Sequence, residues 1–180
     1  MKRCEIVYII TENLVIREAP SKKVVEDIEN ANKALPEYIG GDKCIRMVFN
    51  EHPELRKRDL VSAAKILFCF VDEFPDTYEI LSRASGQIVG YFKLLNGNRK
   101  TPSFDIRFFP GEQRKGYGTE ALFAMLDELK KNPKYTALLG MILSPYTPYL
   151  NWIEKCGAVE LKQSVPNVSL FLRVYSFPLK

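Results

Sequence analysis

One continuous stretch, from residue 103 to residue 131, most constrains how this chain folds. Its first six residues alternate between polar and apolar side chains, which is typical of a strand with one buried face. Pro110 and Gly111 then interrupt the alternation. After Gly118 the apolar residues recur at helical spacing, until an Asn-Pro pair at 132–133 ends the pattern. The stretch therefore predicts a strand, a glycine-containing turn and a helix in direct succession.

The turn before this helix has the chemistry of a phosphate-binding loop. Gly116 and Gly118 lack Cβ atoms, so the backbone can approach a ligand closely and present its amides. A helix N-terminus attracts anions, and Arg114 and Lys115 add positive charge beside it. The spacing of a Walker loop is absent here, and so is the third glycine of a dinucleotide fingerprint. The residues therefore favour a pyrophosphate cradle of another type over an ordinary tight turn.

Composition narrows the class of protein. A chain of 180 residues, 46% of them hydrophobic, can bury one good core, and we expect a single domain over residues 1–180. A formal net charge of +4 suits an acidic ligand but falls well short of a nucleic-acid-binding surface. Four scattered cysteines and one histidine lack metal-ligand spacing, and no apolar run is long enough to cross a bilayer. We expect a cytoplasmic protein with reduced thiols and without metal, membrane or nucleic-acid partners.

The flanking sequence predicts the remaining elements. Alternating apolar residues and turn signals predict strands at residues 5–10, 13–18, 78–84, 87–95, 136–143, 159–164 and 168–177. Helices are predicted after Ser21, after His52-Pro53 and from residue 149, the second of them roughly twenty residues long. The segment 36–41 is predicted to be a break.

The loop resembles a known acetyl-CoA motif. Residues 113–118, Gln-Arg-Lys-Gly-Tyr-Gly, resemble the Gln/Arg-x-x-Gly-x-Gly/Ala loop of the GNAT N-acetyltransferase superfamily. Residues 115–122 and 11–17 are similar to the RimJ/RimL branch, which acetylates the N-termini of ribosomal proteins. The resemblance covers most of the chain. It implies an α/β (α+β) fold with a mixed central sheet of about seven strands, flanked by helices and splayed at the middle, where the pantetheine arm lies.

The resemblance also implies an activity. GNAT enzymes transfer the acetyl group of acetyl-CoA to a primary amine by direct attack in a ternary complex. Similarity to the RimJ/RimL branch favours a protein N-terminus as the acceptor, and small amines such as polyamines stay an alternative. A non-catalytic acyl-CoA-binding or regulatory protein is a second alternative, and an unrelated nucleotide-binding domain is a third. The protein is expected to be a monomer or a homodimer.

The resemblance assigns site residues along the loop strand. The residues expected to contact acetyl-CoA are Phe108, Phe109, Gln113, Arg114, Lys115, Gly116, Tyr117, Gly118 and Thr119. A main-chain amide near Phe108 or Phe109 is the expected donor to the thioester carbonyl. Asp105 is the candidate base for the amine proton, with Glu79 in reserve. A solvent-facing or Arg107-paired aspartate is the alternative reading of Asp105.

The last predicted helix supplies the candidates for the departing thiolate. Residues 153–158 resemble the family's Tyr-Glu-Lys-Leu-Gly-Phe, but Ile153 replaces the tyrosine that protonates the CoA sulfur in many members. Tyr146 and Tyr149 stand where the branch usually has Asn-x-x-Ser. We assign the hydroxyl facing the thiol to Tyr149 first and to Tyr146 second, with packing at the rim of the site as the alternative for both.

Overall fold

A computed structural model describes residues 8–18, 22–35, 41–68, 75–143, 147–162 and 167–180. The strands are β1 (Tyr8–Ile10), β2 (Leu14–Glu18), β3 (Asp76–Ser82), β4 (Ile88–Leu95), β5 (Ser103–Phe108), β6 (Ala137–Leu143), β7 (Val159–Leu161) and β8 (Leu172–Pro178). The helices are α1 (Lys22–Lys33), α2 (Gly41–Glu51), α3 (Lys57–Phe68), α4 (Tyr117–Lys130) and α5 (Thr147–Lys155). The strands form one mixed sheet in the order β1-β2-β3-β4-β5-β6-β8-β7. The expected fold class is confirmed, and the described residues form eight strands where about seven were expected.

Most predicted elements lie close to their expected positions, but the structure differs from the prediction at three places. The segment between residues 41 and 51 forms α2, which the sequence reasoning did not predict. The helix expected after His52-Pro53 begins only at Lys57. Its start is fixed by Asp59, whose carboxylate accepts a 2.8 Å hydrogen bond from the Arg56 amide. The last strand begins at Leu172, because residues 168–170 form a 3-10 turn. The amides of Leu170 and Phe171 donate to carbonyls within this turn and not to a neighbouring strand.

The sheet opens between β5 and β6. These parallel strands pair only through Ser103 with Leu139 and Phe104 with Gly140. Beyond that point β5 stays paired with β4 as far as Phe108, while β6 stays paired with β8 to its end. The two strands therefore separate in the middle of the sheet, as the resemblance implied. We call the place where their pairing stops the branch point and the space beyond it the gap.

The two faces of the sheet have different chemistry. The core face packs against α4 and α5, and its β5 residues are Phe104, Ile106 and Phe108. The opposite face, called the α1 face, carries a cross-strand row of polar side chains under α1: Arg17, Glu79, Tyr91 and Arg107. A second apolar cluster joins α2 and α3 to the segment that precedes β8. Its buried members are Val48, Leu55, Ala63, Val168 and Phe171. The alternation in β5 thus divides an apolar core from a charged surface under α1.

Close packing defines the branch point. A Cβ atom on Gly140 would lie 2.3 Å from Cδ1 of Ile153 and 3.4 Å from a ring carbon of Phe104. Ile153 on α5 is fully buried. The aliphatic residue at this position therefore fills the space directly over the glycine, and the glycine is needed for α5 to come this close to β6.

Replacing Gly140 by alanine should overpack the branch point. The variant Gly140→Ala is expected to lose about 1–3 kcal/mol of unfolding free energy, because Ile153 must be displaced. Ile153→Val removes the clashing Cδ1 atom, so the double variant should lose less than the sum of the two single losses. Urea denaturation measures all three variants. Gly111→Ala is the control, since nothing lies within 4 Å of its Cβ position. Strictly additive losses would contradict this packing.

Candidate active site

The loop leaves backbone amides available at the start of α4. Gly116 is the N-cap residue and has φ of +84°, a left-handed conformation that favours glycine. Its carbonyl accepts the amides of Thr119 and Glu120, both at 3.1 Å. The amides of Tyr117 and Gly118 belong to the first helical turn, where no intrahelical acceptor is available. Such free amides are the groups that an anion-binding cradle would use, and the cradle itself stays a prediction.

The cations of the loop lie beside this helix end. Arg114 is exposed and also has a left-handed backbone, with φ of +61°. Lys115 is exposed and forms a 2.9 Å ion pair with Glu112. The loop thus carries two side-chain cations and the positive end of the α4 dipole next to one another, which suits a pyrophosphate group.

Gln113, the first residue of the motif, turns its side chain back into the protein. Its Nε2 donates to Oδ1 of Asn32 at 2.7 Å and to the Phe108 carbonyl at 3.3 Å. Asn32 lies on α1 and is buried. The Gln113 side chain therefore joins the loop to α1. Sequence reasoning missed Asn32, because no local pattern marks a contact 81 residues away.

The ladder between β4 and β5 separates the two candidate amides at the strand end. The Phe109 amide donates to the carbonyl of Val89 at 2.9 Å. Since successive amides of an antiparallel strand point to opposite sides, the Phe108 amide is directed away from β4 and toward the gap. Gly90 makes this close pairing possible, since a Cβ there would lie 2.5 Å from the Arg107 carbonyl oxygen. Of the two residues considered, Phe108 is the one whose amide faces the gap.

Asp105 is part of an ion network on the α1 face. Its Oδ2 accepts a 2.9 Å hydrogen bond from the Tyr91 hydroxyl, and its Oδ1 lies 3.2 Å from Nε of Arg107. The pairing with Arg107 is thus observed, and together with Tyr91 it orients the Asp105 carboxylate. Burial, followed by the negative charge of Asp105, raises the pKa of Tyr91 well above its usual range, so the phenol stays protonated as a donor.

Neighbouring carboxylates in the network are also paired. Glu79, the reserve base, is buried and forms an ion pair with Nε of Arg17. Glu29 on α1 lies 2.9 Å from the Lys93 ammonium. Burial acts to raise the pKa of Glu29, but the hydrogen bond and charge of Lys93 outweigh it and the pKa is lowered. The α1 face therefore balances its carboxylates with cations.

Helix α5 brings Tyr149 toward the first turn of α4 through Trp152. The Trp152 indole donates to Oγ1 of Thr119 at 3.0 Å, and its ring centroid lies 4.9 Å from that of Tyr149. A Cβ on Gly118 would lie 3.7 Å from the same indole and 3.8 Å from the Phe108 ring. Tyr146 lies outside the described residues. Sequence reasoning missed Trp152, although its place three residues after Tyr149 on a helix was a signal for contact.

Cys156 shows no sign of a chemical role. The side chain is buried, and this burial raises the pKa of the thiol, with a smaller opposing effect from a hydrogen bond to Thr119. A protonated, buried thiol is a poor nucleophile.

Among the residues that the structure describes, no three His, Cys, Asp or Glu side chains are grouped to hold a metal ion. None of the described helices is long and apolar enough to span a bilayer.

Glu120 connects the loop helix to the turn between β1 and β2. Its carboxylate accepts hydrogen bonds from the Thr11 hydroxyl at 2.5 Å and from the Asn13 amide at 2.7 Å. The Asn13 side chain adds a third bond at 3.0 Å. Burial acts to raise the pKa of Glu120, but these hydrogen bonds outweigh it and the pKa is lowered. The two segments that resemble the RimJ/RimL branch are thus in direct contact.

Removing the Glu120 charge should produce a pH-dependent loss of stability. At pH 7, Glu120→Gln is expected to lose about 1–2 kcal/mol of unfolding free energy, because charge-assisted hydrogen bonds to Thr11 and Asn13 weaken. Because the folded-state pKa is lowered, Glu120 stabilises the native state above its unfolded pKa of about 4.3, and this is lost as the pH falls through the folded value. The difference from wild type should therefore narrow in acid.

Denaturant titrations at several pH values measure this difference. The control is Asp127→Asn, which removes an exposed α4 carboxylate paired with Lys130 at the surface. If the difference in unfolding free energy between wild type and Glu120→Gln stayed constant down to pH 3, the lowered pKa of Glu120 would be contradicted.

Comparison with known proteins identifies the architecture. A scan against protein-family models finds no match to this sequence, and a search of curated proteins finds none either. Solved structures do match over almost the whole chain. A GNAT-family acetyltransferase from Bacillus anthracis has a TM-score of 0.57 and 19% identity, covering 96% of this chain and 99% of its own. An acetyltransferase from Agrobacterium tumefaciens has a TM-score of 0.62 and 17% identity, covering 98% and 97%.

A third similar structure is a ligand complex. Spermidine N-acetyltransferase from Vibrio cholerae, in complex with CoA and spermine, has a TM-score of 0.58 and 14% identity. The match covers 94% of this chain and 95% of that one. At these identities the similarity establishes the architecture of the chain. The protein therefore has the fold of the GNAT acetyltransferases.

Proposed function

We propose that the chain is a single-domain, acetyl-CoA-dependent N-acetyltransferase. The observation that carries this proposal is the gap between β5 and β6, which opens beside the N-terminus of α4 and its loop cations. A strand pair that separates and an anion site at the head of the gap accommodate a long ligand with a pyrophosphate at one end. The presence of CoA in a structure of the same fold supports this choice of ligand.

The chain's own groups match the requirements of acyl transfer. Acetyl-CoA supplies an activated acyl group: the amine lone pair forms a C–N bond, the C–S bond breaks, and the amine releases a proton. The amides of Tyr117 and Gly118, with Arg114, would bind the pyrophosphate. The Phe108 amide points into the gap and would donate to the thioester carbonyl oxygen as negative charge develops on it.

Proton transfer is assigned to two side chains. Asp105 lies on β5, three residues before Phe108, and would take the amine proton on a carboxylate oxygen that Tyr91 and Arg107 orient. Tyr149 on α5 would donate a hydrogen bond or a proton to the departing sulfur. Its ring is held by Trp152, which in turn binds the first turn of α4.

The acceptor amine is assigned by class. The resemblance of residues 11–17 and 115–122 to the RimJ/RimL branch supports a protein N-terminal amine. The spermidine N-acetyltransferases that share the fold support a small amine as the second candidate. The alternative to an enzyme is a non-catalytic acyl-CoA-binding protein. It is supported by the buried Ile153, which provides no hydroxyl at the branch point.

Thermal stabilisation tests the binding step. At one hundred times its dissociation constant, acetyl-CoA should stabilise the protein by about 2.7 kcal/mol, because it binds only the native state. Arg114→Ala should weaken binding about tenfold, since one charge-assisted contact to the pyrophosphate is lost. The matched control is Arg99→Ala, an exposed arginine in the connection from β4 to β5 at the opposite end of the sheet. A wild-type protein without a shift, or equal losses in both variants, would contradict the proposed cradle.

Mass spectrometry tests the transfer step. The wild-type protein with acetyl-CoA should add one acetyl group to members of a panel containing peptides with free N-termini and small polyamines. Acetylated peptides would identify the first acceptor class, and acetylated polyamines the second. Bound acetyl-CoA with no transfer to any amine would favour the non-catalytic alternative.

A further inference from the structure

A single buried asparagine ties α1 to both halves of the proposed acetyl-CoA site. Asn32 lies near the C-terminus of α1 and is 9% exposed. Its Nδ2 donates to the Phe108 carbonyl at 2.8 Å, where β5 ends, and its Oδ1 accepts from Gln113 at 2.7 Å, in the loop. The two contacts span 76 and 81 residues of sequence. One side chain therefore joins three separate parts of the fold.

Both N–H donors of this side chain and its carbonyl oxygen have hydrogen-bond partners. A primary amide has two N–H donors and one carbonyl acceptor. In Asn32 the second N–H donates to the Ile28 carbonyl at 2.8 Å, one turn earlier on α1. Gln113 closes the arrangement through its own 3.3 Å bond to the Phe108 carbonyl. We call this closed set of Asn32, Gln113 and the Phe108 carbonyl the latch.

The latch acts on the residue whose amide faces the gap. The Phe109 amide is held by Val89, and the Phe108 carbonyl is held by Asn32 and Gln113. Both ends of the peptide unit that follows Phe108 are therefore fixed. The peptide unit that joins Arg107 to Phe108 pairs with β4 through the register of Tyr91 with Arg107. Because the peptide units on both sides of the Phe108 Cα atom are held, the Phe108 amide can point in one direction only, toward the gap.

We propose that Asn32 is a positioning residue that aims the Phe108 amide at the acyl carbonyl of bound acetyl-CoA. This inference rests on the proposed function and adds to it a residue on α1, outside the loop motif. Asn32 touches neither ligand nor reacting atoms and acts through Phe108. The effect should concern the acetyl group specifically, because the Phe108 amide is assigned to the acyl carbonyl, while the pyrophosphate binds the loop and the pantetheine arm lies along the gap.

The preference for acetyl-CoA over CoA is the property that measures this effect. CoA has the same pyrophosphate and pantetheine groups but no acyl carbonyl. A hydrogen bond from the Phe108 amide should therefore make wild-type affinity for acetyl-CoA about threefold to tenfold higher than for CoA. A residue that only stabilises the fold would change both affinities by one factor and leave their ratio unchanged.

Isothermal titration of both ligands tests the proposal on three variants. Asn32→Ala should bring the affinity ratio to about one, while affinity for CoA itself changes less than about twofold. Gln113→Ala leaves the Asn32 bond to Phe108 in place and should lower the ratio only in part. The matched control is Asn30→Ala, the same substitution at an exposed position on the same helix, which should keep the wild-type ratio.

Each result decides the proposal. Equal loss of both affinities in Asn32→Ala, or a ratio that stays at the wild-type value, would overturn it. If Asn32→Ala does not fold, an unchanged ratio in Gln113→Ala would overturn it, and a reduced ratio would uphold it. Wild-type protein that binds both ligands equally would overturn the proposed role of Asn32 but not the proposed pyrophosphate site. Wild-type protein that binds neither ligand would overturn the proposed function and the latch together.

Discussion

The limited pairing of β5 with β6 is the constraint on which the other features depend. Two residue pairs hold the strands together, and the sheet then opens although both strands continue. Each strand keeps its other neighbour, β4 or β8, so the opening does not leave the sheet without cohesion. Gly140 allows Ile153 to fill the space at the branch point, which keeps α5 against the sheet. An opened sheet with a packed branch point forms a preformed slot, and preorganised groups in such a slot can orient a ligand.

Three long-range hydrogen-bonded contacts hold the loop and the first turn of α4 against the rest of the sheet. Asn32 binds Gln113 from α1, and Trp152 binds Thr119 from α5. The turn between β1 and β2 binds Glu120. Each contact uses the side chain of a residue in or directly after the loop motif and leaves the amides of Tyr117 and Gly118 without an intrahelical acceptor. These polar side chains hold the backbone of the proposed ligand site in position.

Local sequence patterns predicted the centre of the molecule well. The limits of β5 agree with the alternation, and α4 ends shortly before the Asn-Pro pair, as predicted. Both features depend on neighbouring residues, so their signals lie in one short window. The resemblance to the GNAT loop supplied the expected opening of the sheet, which periodicity alone does not contain.

The parts that sequence reasoning missed depend on contacts between distant segments. Asn32 looks like an ordinary polar residue of an amphipathic helix, and only the fold brings it to Phe108. The choice between the amides of Phe108 and Phe109 depends on the register of β4 with β5, which a single sequence does not specify. Helix α2 is different, since Ile45, Val48 and Phe49 have helical spacing and could have been recognised.

We infer that acetyl-CoA occupies the gap with its pyrophosphate at the start of α4. An amide-resolved NMR titration of the wild-type protein with acetyl-CoA measures where the ligand binds. The largest shift changes should occur at the amides of Tyr117, Gly118 and Phe108, with little change in the connection from β4 to β5 at the far end of the sheet. Shift changes confined to other surfaces, or none at saturating acetyl-CoA, would show that acetyl-CoA does not bind in the gap.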